Sequence, residues 1–395
     1  MNGPGRLPAA ALEALDTALA PLDLWAARRW PGGSGADQPA HTVYVPADRA
    51  EPGVCGRWGR EALAALDEHA PGPVSLATAT GLPVAEVDDA WPLLRATLER
   101  RPIEDLRLDL EDGYGPRPDD VEDADADAAV ATLLAEAVAG DGPRRSGVRH
   151  RSLEAATRAR AVRTLDRVIG GLAAAGGPPE GFVLTLPKVV HVDQVAAYAA
   201  LLRVLEVAHD LPEDALVFEI QVETPQAILA ADGRLPLAPM IDVAGGRCVG
   251  LHYGTYDYSA ALGVPAAEQR ADHPVAQTAK AVMRLAAAGT GVEVSDGSTN
   301  RLPVGDRATV HAHWRVHAEL VLGALADGVR QGWDLHPAQL VTRHLVTIVA
   351  MRRALPGAIE RLGPASTRSW SSRSATSKTK GSRTSRPAGS TPTAR

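Results

Sequence analysis

Side chains able to do chemistry recur at the C-terminal ends of short β-like segments. LDLEDGYG carries Asp109, Glu111 and Asp112, VRHR carries Arg149 and Arg151, and LPKV carries Lys188. QVETPQ carries Glu223, YGTYDYS carries Asp257 and DLHPAQ carries His336. Paired carboxylates hold hard cations or move protons, and an arginine beside them stabilises negative charge as it develops. Glu223 and Asp257 are expected to end neighbouring strands, which lie about 4.8 Å apart, so both carboxylates can meet on one cation. Two carboxylates with open positions describe Mg²⁺ or Mn²⁺, which prefer oxygen ligands in octahedral geometry. The plainer alternative has Glu223 capping the following helix and Asp257 pairing with an arginine.

Lys188 stands out because the chain has only four lysines (188, 280, 378 and 380) against 37 arginines. It can serve as a Schiff-base nucleophile or pair with Glu223 or Asp112 at the rim. Residues 104–127 hold eleven Asp/Glu and two Arg. Their later part, DDVEDADADAA, reads as a solvated loop entering a helix, where acids favour the positive end of the dipole. His311, His313 and His317 in HAHWRVH fall in a helical stretch with no matching Glu, and read as surface or packing histidines.

Eight segments are needed to position these groups. Strands are expected at His41–Pro46, Asp105–Leu110, Gly147–Arg151, Phe182–Val189, Leu216–Glu223, Cys248–Tyr253, Val292–Asp296 and Gly332–His336. Between them run Ala-, Leu-, Arg- and Glu-rich stretches of helical spacing. Eight β–α alternations in about 320 residues predict an α/β fold, a (β/α)8 TIM barrel whose active site lies at the strands' C-terminal face. The doubly wound rival loses ground because no GxGxxG follows the first strand. In Leu106–Glu111, Leu106, Leu108 and Leu110 oppose Arg107, Asp109 and Glu111; in Phe218–Glu223, Phe218, Ile220 and Val222 oppose Glu219, Gln221 and Glu223. A parallel strand covered on both faces would be apolar throughout. This alternation instead sends charge into the barrel interior.

Length and composition bound the rest. The 395 residues are 45% hydrophobic and 23% charged, with a net charge of −7. Residues 364–395 carry seven Lys/Arg and no acid, which leaves −14 on residues 1–363 and disfavours nucleic acid as a partner. No apolar run suits a membrane helix or a secretory signal. Two cysteines, Cys55 and Cys248, cannot build a disulfide framework or a thiolate zinc site, and a cytoplasmic location is expected. Residues 1–40 form an N-terminal helical extension (helix about Pro8 to Leu22) and a Gly/Pro-rich connector. The barrel takes residues 41–363, and residues 364–395 are expected to be a disordered, Ser/Thr-rich C-terminal tail.

HTVYVPA, LDLEDGYG, VRHR, LPKV, QVETPQAI, GTYDYSAALG and GWDLHPAQL follow in order from His41 to Leu340. Together they resemble the blocks of the HpcH/HpaI aldolase and citrate lyase β-subunit-like superfamily of pyruvate/phosphoenolpyruvate-binding barrels, nearest an actinobacterial-type aldolase-like branch. The resemblance implies a divalent-metal-dependent carbon–carbon lyase or aldolase acting through a stabilised enolate of a 2-oxo acid, pyruvate-like, or of an acyl-CoA. It assigns Glu223 and Asp257 to the metal and Arg149 to the substrate's carboxylate or keto oxygen. Glu111 and Asp112 match the acids that hold metal-bound water or orient that arginine, and Lys188 and His336 match blocks near the site. The histidine that serves as base in HpaI-type aldolases has no secure counterpart here, His41 and His252 being the candidates, and no CoA signature is found. A homo-oligomer is implied by resemblance alone. A malyl-CoA-type thioester hydrolase and a metabolite-binding barrel without turnover remain alternatives.

Overall fold

The computed structural model describes residues 7–33 and 38–373. The chain divides into two compact units, residues 1–349 and residues 350–395. The first opens with helix α1 (Ala9–Arg29), which runs past Pro21 and so beyond the expected end at Leu22. The guanidinium of Arg29 at its end meets Asp242 at 2.6 Å. Strand β1 (His41–Pro46) then leads through helices α2 (Val54–His69), α3 (Pro73–Thr80) and α4 (Val84–Arg100) to β2 (Asp105–Asp109). Helix α5 (Asp119–Val138), β3 (Arg145–Arg149), α6 (Arg158–Ala174), β4 (Phe182–Leu186), α7 (Val192–Ala208) and β5 (Val217–Val222) continue the alternation. Helices α8 (Pro225–Ile228) and α9 (Leu237–Val243) precede β6 (Cys248–Tyr253), α10 (Thr255–Ala261) and α11 (Pro274–Ala287). The barrel ends with β7 (Glu293–Ser298), α12 (Arg307–Ala326), β8 (Gln331–Asp334) and α13 (Pro337–Arg373).

All eight strands are parallel and close in sequence order, β8 pairing with β1, as a (β/α)8 barrel does. Helix α13 continues through Arg373, ten residues into the segment expected to be a disordered tail; residues 374–395 lie outside the described residues. No described helix is long and apolar enough to cross a membrane.

The alternation read in β2 and β5 is the wall of the barrel. Leu106, Leu108, Phe218, Ile220 and Val222 are buried among the helices. The opposite faces fill the interior in polar layers, which is permitted because every charge there meets a partner. In the middle layer Arg107 is paired with Asp105 and reaches Glu219 at 3.3 Å. Glu219 also accepts from Thr185 (2.6 Å) and Tyr44 (3.3 Å) and sits 2.9 Å from His252. Burial works against the Glu219 carboxylate, but Arg107 and His252 hold its pKa far below the usual range.

Several sequence expectations change here: β4 ends at Leu186 rather than Val189, and β8 runs Gln331–Asp334 rather than Gly332–His336. β3 begins at Arg145 rather than Gly147, since Arg145 and Ser146 already pair with β2, and it ends at Arg149. His150 and Arg151 therefore leave the sheet, and Arg151 turns to Glu122 of α5 (2.7 Å) instead of the barrel mouth. The acidic run enters a helix with acids in its first turn as expected, α5 from Asp119 onward, but it is not wholly solvated: Glu122 and Asp123 are buried against arginines of α6. Arg160 meets both acids, at 3.1 Å and 2.6 Å, and Arg163 and Arg167 extend the ladder to Asp123 and Asp127.

Candidate functional site

Asp109 ends β2 directly beside Arg149, the last residue of β3. One Asp109 oxygen accepts the amide of Glu111 (3.0 Å) and the other the amide of Gly113 (2.8 Å), which folds LEDG into a tight turn over the barrel mouth. The same two oxygens take Nε and Nη2 of Arg149, each at 2.7 Å, a bidentate clamp that fixes the guanidinium plane. Nη1 is left to reach Gln221 at 3.1 Å and Glu111 at 3.5 Å. Below lie the rings of Tyr44 and Trp333, 4.9 Å and 5.4 Å from the guanidinium carbon. Arg149 thus carries a charge held in place above an aromatic floor.

Beside it stand four carboxylates. Glu223 follows β5, and its Oε1 accepts the backbone N–H of Lys188 at 2.7 Å while Oε2 takes the amide of Gln221 at 2.5 Å. Asp112 comes from the turn after β2. Asp257 lies in the first turn of α10 rather than at the end of β6 as expected, because β6 stops at Tyr253 and Gly254 turns the chain. That glycine is required: a Cβ there would collide with the Cβ of Glu223. Asp112, Glu223 and Asp257 each present one oxygen within 4.8 Å of the others. Among them sits the ammonium of Lys188, 2.7 Å from Asp112, 3.4 Å from Glu223, 3.5 Å from Glu111 and in contact with Asp257.

The electrostatics follow from burial beside these charges. Burial pushes the Glu111 carboxyl up to about 8 and the Glu223 carboxyl to about 7, against the pull of Arg149 and Lys188. Asp112 is held below its usual range, the Lys188 ammonium outweighing burial. Lys188 itself is raised: burial works against its charge, but Glu223, Glu111 and the two aspartates prevail. An amine so firmly protonated is a poor Schiff-base nucleophile. The donor set fits a divalent metal: it is all oxygen, carries several negative charges, and includes a Glu223 only 2% exposed that needs a cation beside it. Hard ions such as Mg²⁺ and Mn²⁺ match it; the absence of imidazole and thiolate from the cluster disfavours zinc.

Arg149, Gln221, Glu223, Asp257, Tyr44 and Trp333 line one cavity of about 380 Å³ at the C-terminal ends of the strands. The indole N–H of Trp333 is buried without a partner. A larger hollow of about 1070 Å³ lies at the opposite face, where loops of Gly and Pro surround the Arg145–Glu293 pair (3.0 Å). It gathers none of the residues of the carboxylate cluster, so size is a poor guide here and the smaller cavity is the candidate site.

Six expected residues, Glu111, Asp112, Arg149, Lys188, Glu223 and Asp257, are therefore gathered in one place. His336 is not. Its Nδ1 accepts the amide of Ala338 at 3.2 Å, capping α13, and it does not line the cavity. His41 lies at the start of β1, the far end of the barrel, bound to Asp334 at 2.7 Å, and His252 is held by Glu219 in the middle layer. His311, His313 and His317 bond to His69 O, Leu302 O and Thr342, as packing histidines do. Gln221, Tyr44 and Trp333 were not anticipated as site residues, and Asp109 was picked out at its strand end without a role. For Asp109 and Gln221 the signal was present, since both belong to the inward faces that the alternation marks.

Residues 19–381 match the family described as a domain of unknown function, DUF6986. No curated protein sequence matches the chain. Among solved structures, a citrate lyase from Burkholderia xenovorans LB400 is similar at 20% identity and TM-score 0.51, over 81% of this chain and 84% of that one. Haloferax volcanii malate synthase in its magnesium/glyoxylate complex is similar at 14% identity and TM-score 0.52, over 86% of this chain and 96% of that one. Its pyruvate/acetyl-CoA ternary complex gives 15% identity and 0.52, over 79% and 70%. At such identities the likeness is one of fold, and it is the barrel fold that the sequence blocks resemble.

Proposed function

The chain belongs to the DUF6986 family, and we propose that it is a divalent-metal-dependent carbon–carbon lyase or aldolase acting through the enolate of a 2-oxo acid or an acyl-CoA. One observation carries the reading: three carboxylates with an oxygen each inside 4.8 Å open onto the same cavity as a clamped, buried arginine. Magnesium or manganese on Asp112, Glu223 and Asp257 would supply Lewis acidity toward a carbonyl oxygen of the substrate.

The chain's own residues do the rest. Arg149 places charge where an enolate or carboxylate oxygen carries it, an effect worth roughly 3–4 kcal/mol per donor when the donor is preorganised. Preorganisation is Asp109's contribution, through both of its oxygens. Glu111 holds the moving proton. Its carboxyl, pushed up to about 8, is a far better base at neutral pH than an ordinary glutamate and lies 3.5 Å from Arg149 Nη1. Tyr44 and Trp333 close the floor against water.

A cavity of about 380 Å³ takes a small oxo acid whole, whereas an acyl-CoA would leave its nucleotide outside. The malate synthase of similar fold has been seen with magnesium and glyoxylate and with pyruvate and acetyl-CoA, the same two classes of compound. The test is solvent-deuterium exchange into the methyl group of pyruvate, and separately of acetyl-CoA, followed by NMR with Mg²⁺ or with EDTA. Exchange that EDTA abolishes is expected, and the compound that exchanges selects the branch. Exchange that survives EDTA would turn the assignment toward Lys188. No exchange with either would leave thioester hydrolysis or a binding barrel.

A further inference from the structure

We propose that the Lys188 ammonium is a built-in counter-ion of the carboxylate cluster, holding Asp112, Glu223 and Asp257 together in the place a divalent cation would take and competing with that cation for their oxygens. This rests on the reading of the cluster as a metal site. The geometry is direct: Nζ lies within 3.5 Å of Glu111, Asp112 and Glu223 and in contact with Asp257, so it touches every member of the proposed ligand set. An ammonium and a divalent ion cannot share those oxygens at bonding distance, because their own repulsion grows as they approach.

Among the described residues, Lys188 is the cation paired with all three of these carboxylates. Arg149 is committed to Asp109 through two donors and reaches the cluster only at its edge, through Glu111. Without Lys188, Asp112, Glu223 and Asp257 would face one another with like charge, one of them buried.

Lys188 is also built to leave. Its side chain is 22% exposed, so an exit to solvent exists, and its four-carbon stem is flexible where a guanidinium is a rigid fork. The backbone is pinned separately: Lys188 adopts φ 54°, a left-handed conformation rare for a lysine, and donates its N–H to Glu223 Oε1. The ammonium can therefore swing out while Glu223 keeps its place. In a chain that writes 37 of its 41 cations as arginine, a lysine here suits a charge that must move.

The test reads metal binding directly. Mn²⁺ affinity is measured by electron paramagnetic resonance and calorimetry for the full-length wild type, Lys188→Met, Lys188→Arg and Glu223→Gln. Lys188→Met is expected to bind Mn²⁺ roughly tenfold more tightly or better, and Lys188→Arg, which keeps the charge on a stiffer group, to bind no more tightly than the wild type. On the unaltered protein, acetic anhydride labelling read by mass spectrometry should show Lys188 protected without metal and reactive with Mg²⁺, while Lys280, buried against Asp296, stays protected in both. This second measurement decides the matter if Lys188→Met fails to fold. Binding in the wild type that Glu223→Gln abolishes, with Lys188 labelling indifferent to Mg²⁺ and Lys188→Met no tighter, would overturn the counter-ion role and leave the metal site standing. Binding confined to Lys188→Met would uphold both. No Mn²⁺ bound by either protein would overturn both.

Discussion

Asp109 performs two tasks with one carboxylate: it folds the turn that delivers Glu111 and Asp112, and it clamps Arg149. Asparagine in its place keeps one acceptor and turns an NH₂ toward the guanidinium, so the clamp opens while the volume stays the same. Asp109→Asn is expected to lower kcat/KM roughly 10–100-fold and to weaken Mn²⁺ binding much less than Glu223→Gln does, since Asp112 alone of the three proposed ligands rides on that turn. Arg149→Lys should lower activity strongly as well, because a point charge replaces a planar fork. Unchanged kcat/KM in either variant would mean that the wrong cation had been assigned. By contrast, Glu223→Gln and Asp257→Asn should remove metal-dependent turnover and metal binding together with the fold intact by circular dichroism. Residue types at strand ends proved legible wherever the side chain pointed inward. They misled at His336, where the strand-end position serves a backbone: the imidazole caps α13.

Among the elements, the period-2 alternation in β2 and β5 carried most of the information, because it stated both that the strands are parallel to a polar interior and which residues face it. Strand ends were less legible. The third strand shifted by two residues because Arg145 and Ser146 satisfy their backbone against β2, a pairing that no local pattern announces. The bounds of β6 were legible, Cys248–Tyr253 in both readings, but Asp257 was assigned to the strand end when it lies beyond Gly254 and reaches the cluster from a helix. Gly254 tests how closely these elements are fitted. Gly254→Ala forces a methyl group against the Cβ of Glu223, and overpacking of this kind costs about 1–3 kcal/mol. The expected outcome is a lowered melting temperature combined with weakened Mn²⁺ binding, since the displaced group is itself a proposed ligand. A variant with wild-type stability and affinity would show that β5 and α10 can move apart freely.

At the scale of the molecule, the barrel holds its polar groups in layers, and one consequence is sensitivity to acid that the carboxylates of the candidate site do not cause. His150 follows Arg149 and is fully buried, its Nδ1–H donating to Arg151 O at 2.7 Å and its Nε2 accepting from the Tyr198 hydroxyl at 2.8 Å. Both ring nitrogens are satisfied in the neutral form, and burial brings the pKa down to about 4. An unfolded histidine titrates near 6.5, so between these values the unfolded chain binds a proton that the folded chain refuses. Stability contributed by the neutral ring is therefore complete above about pH 6.5 and is lost as pH falls toward 4. His344, donating to Pro102 O at 2.7 Å and also brought down to about 4, adds in the same direction. Glu111 and Glu223 run the opposite way, their raised values favouring the folded state as they take up protons. The variant His150→Gln cancels that opposition, because both proteins share those carboxylates and differ only at the histidine. Urea unfolding at pH 7 and pH 4.5 should show the wild type losing roughly 2–3 kcal/mol more than His150→Gln over that interval. Parallel losses would mean that the folded barrel admits a proton at His150, and that the Tyr198 hydroxyl turns to become an acceptor.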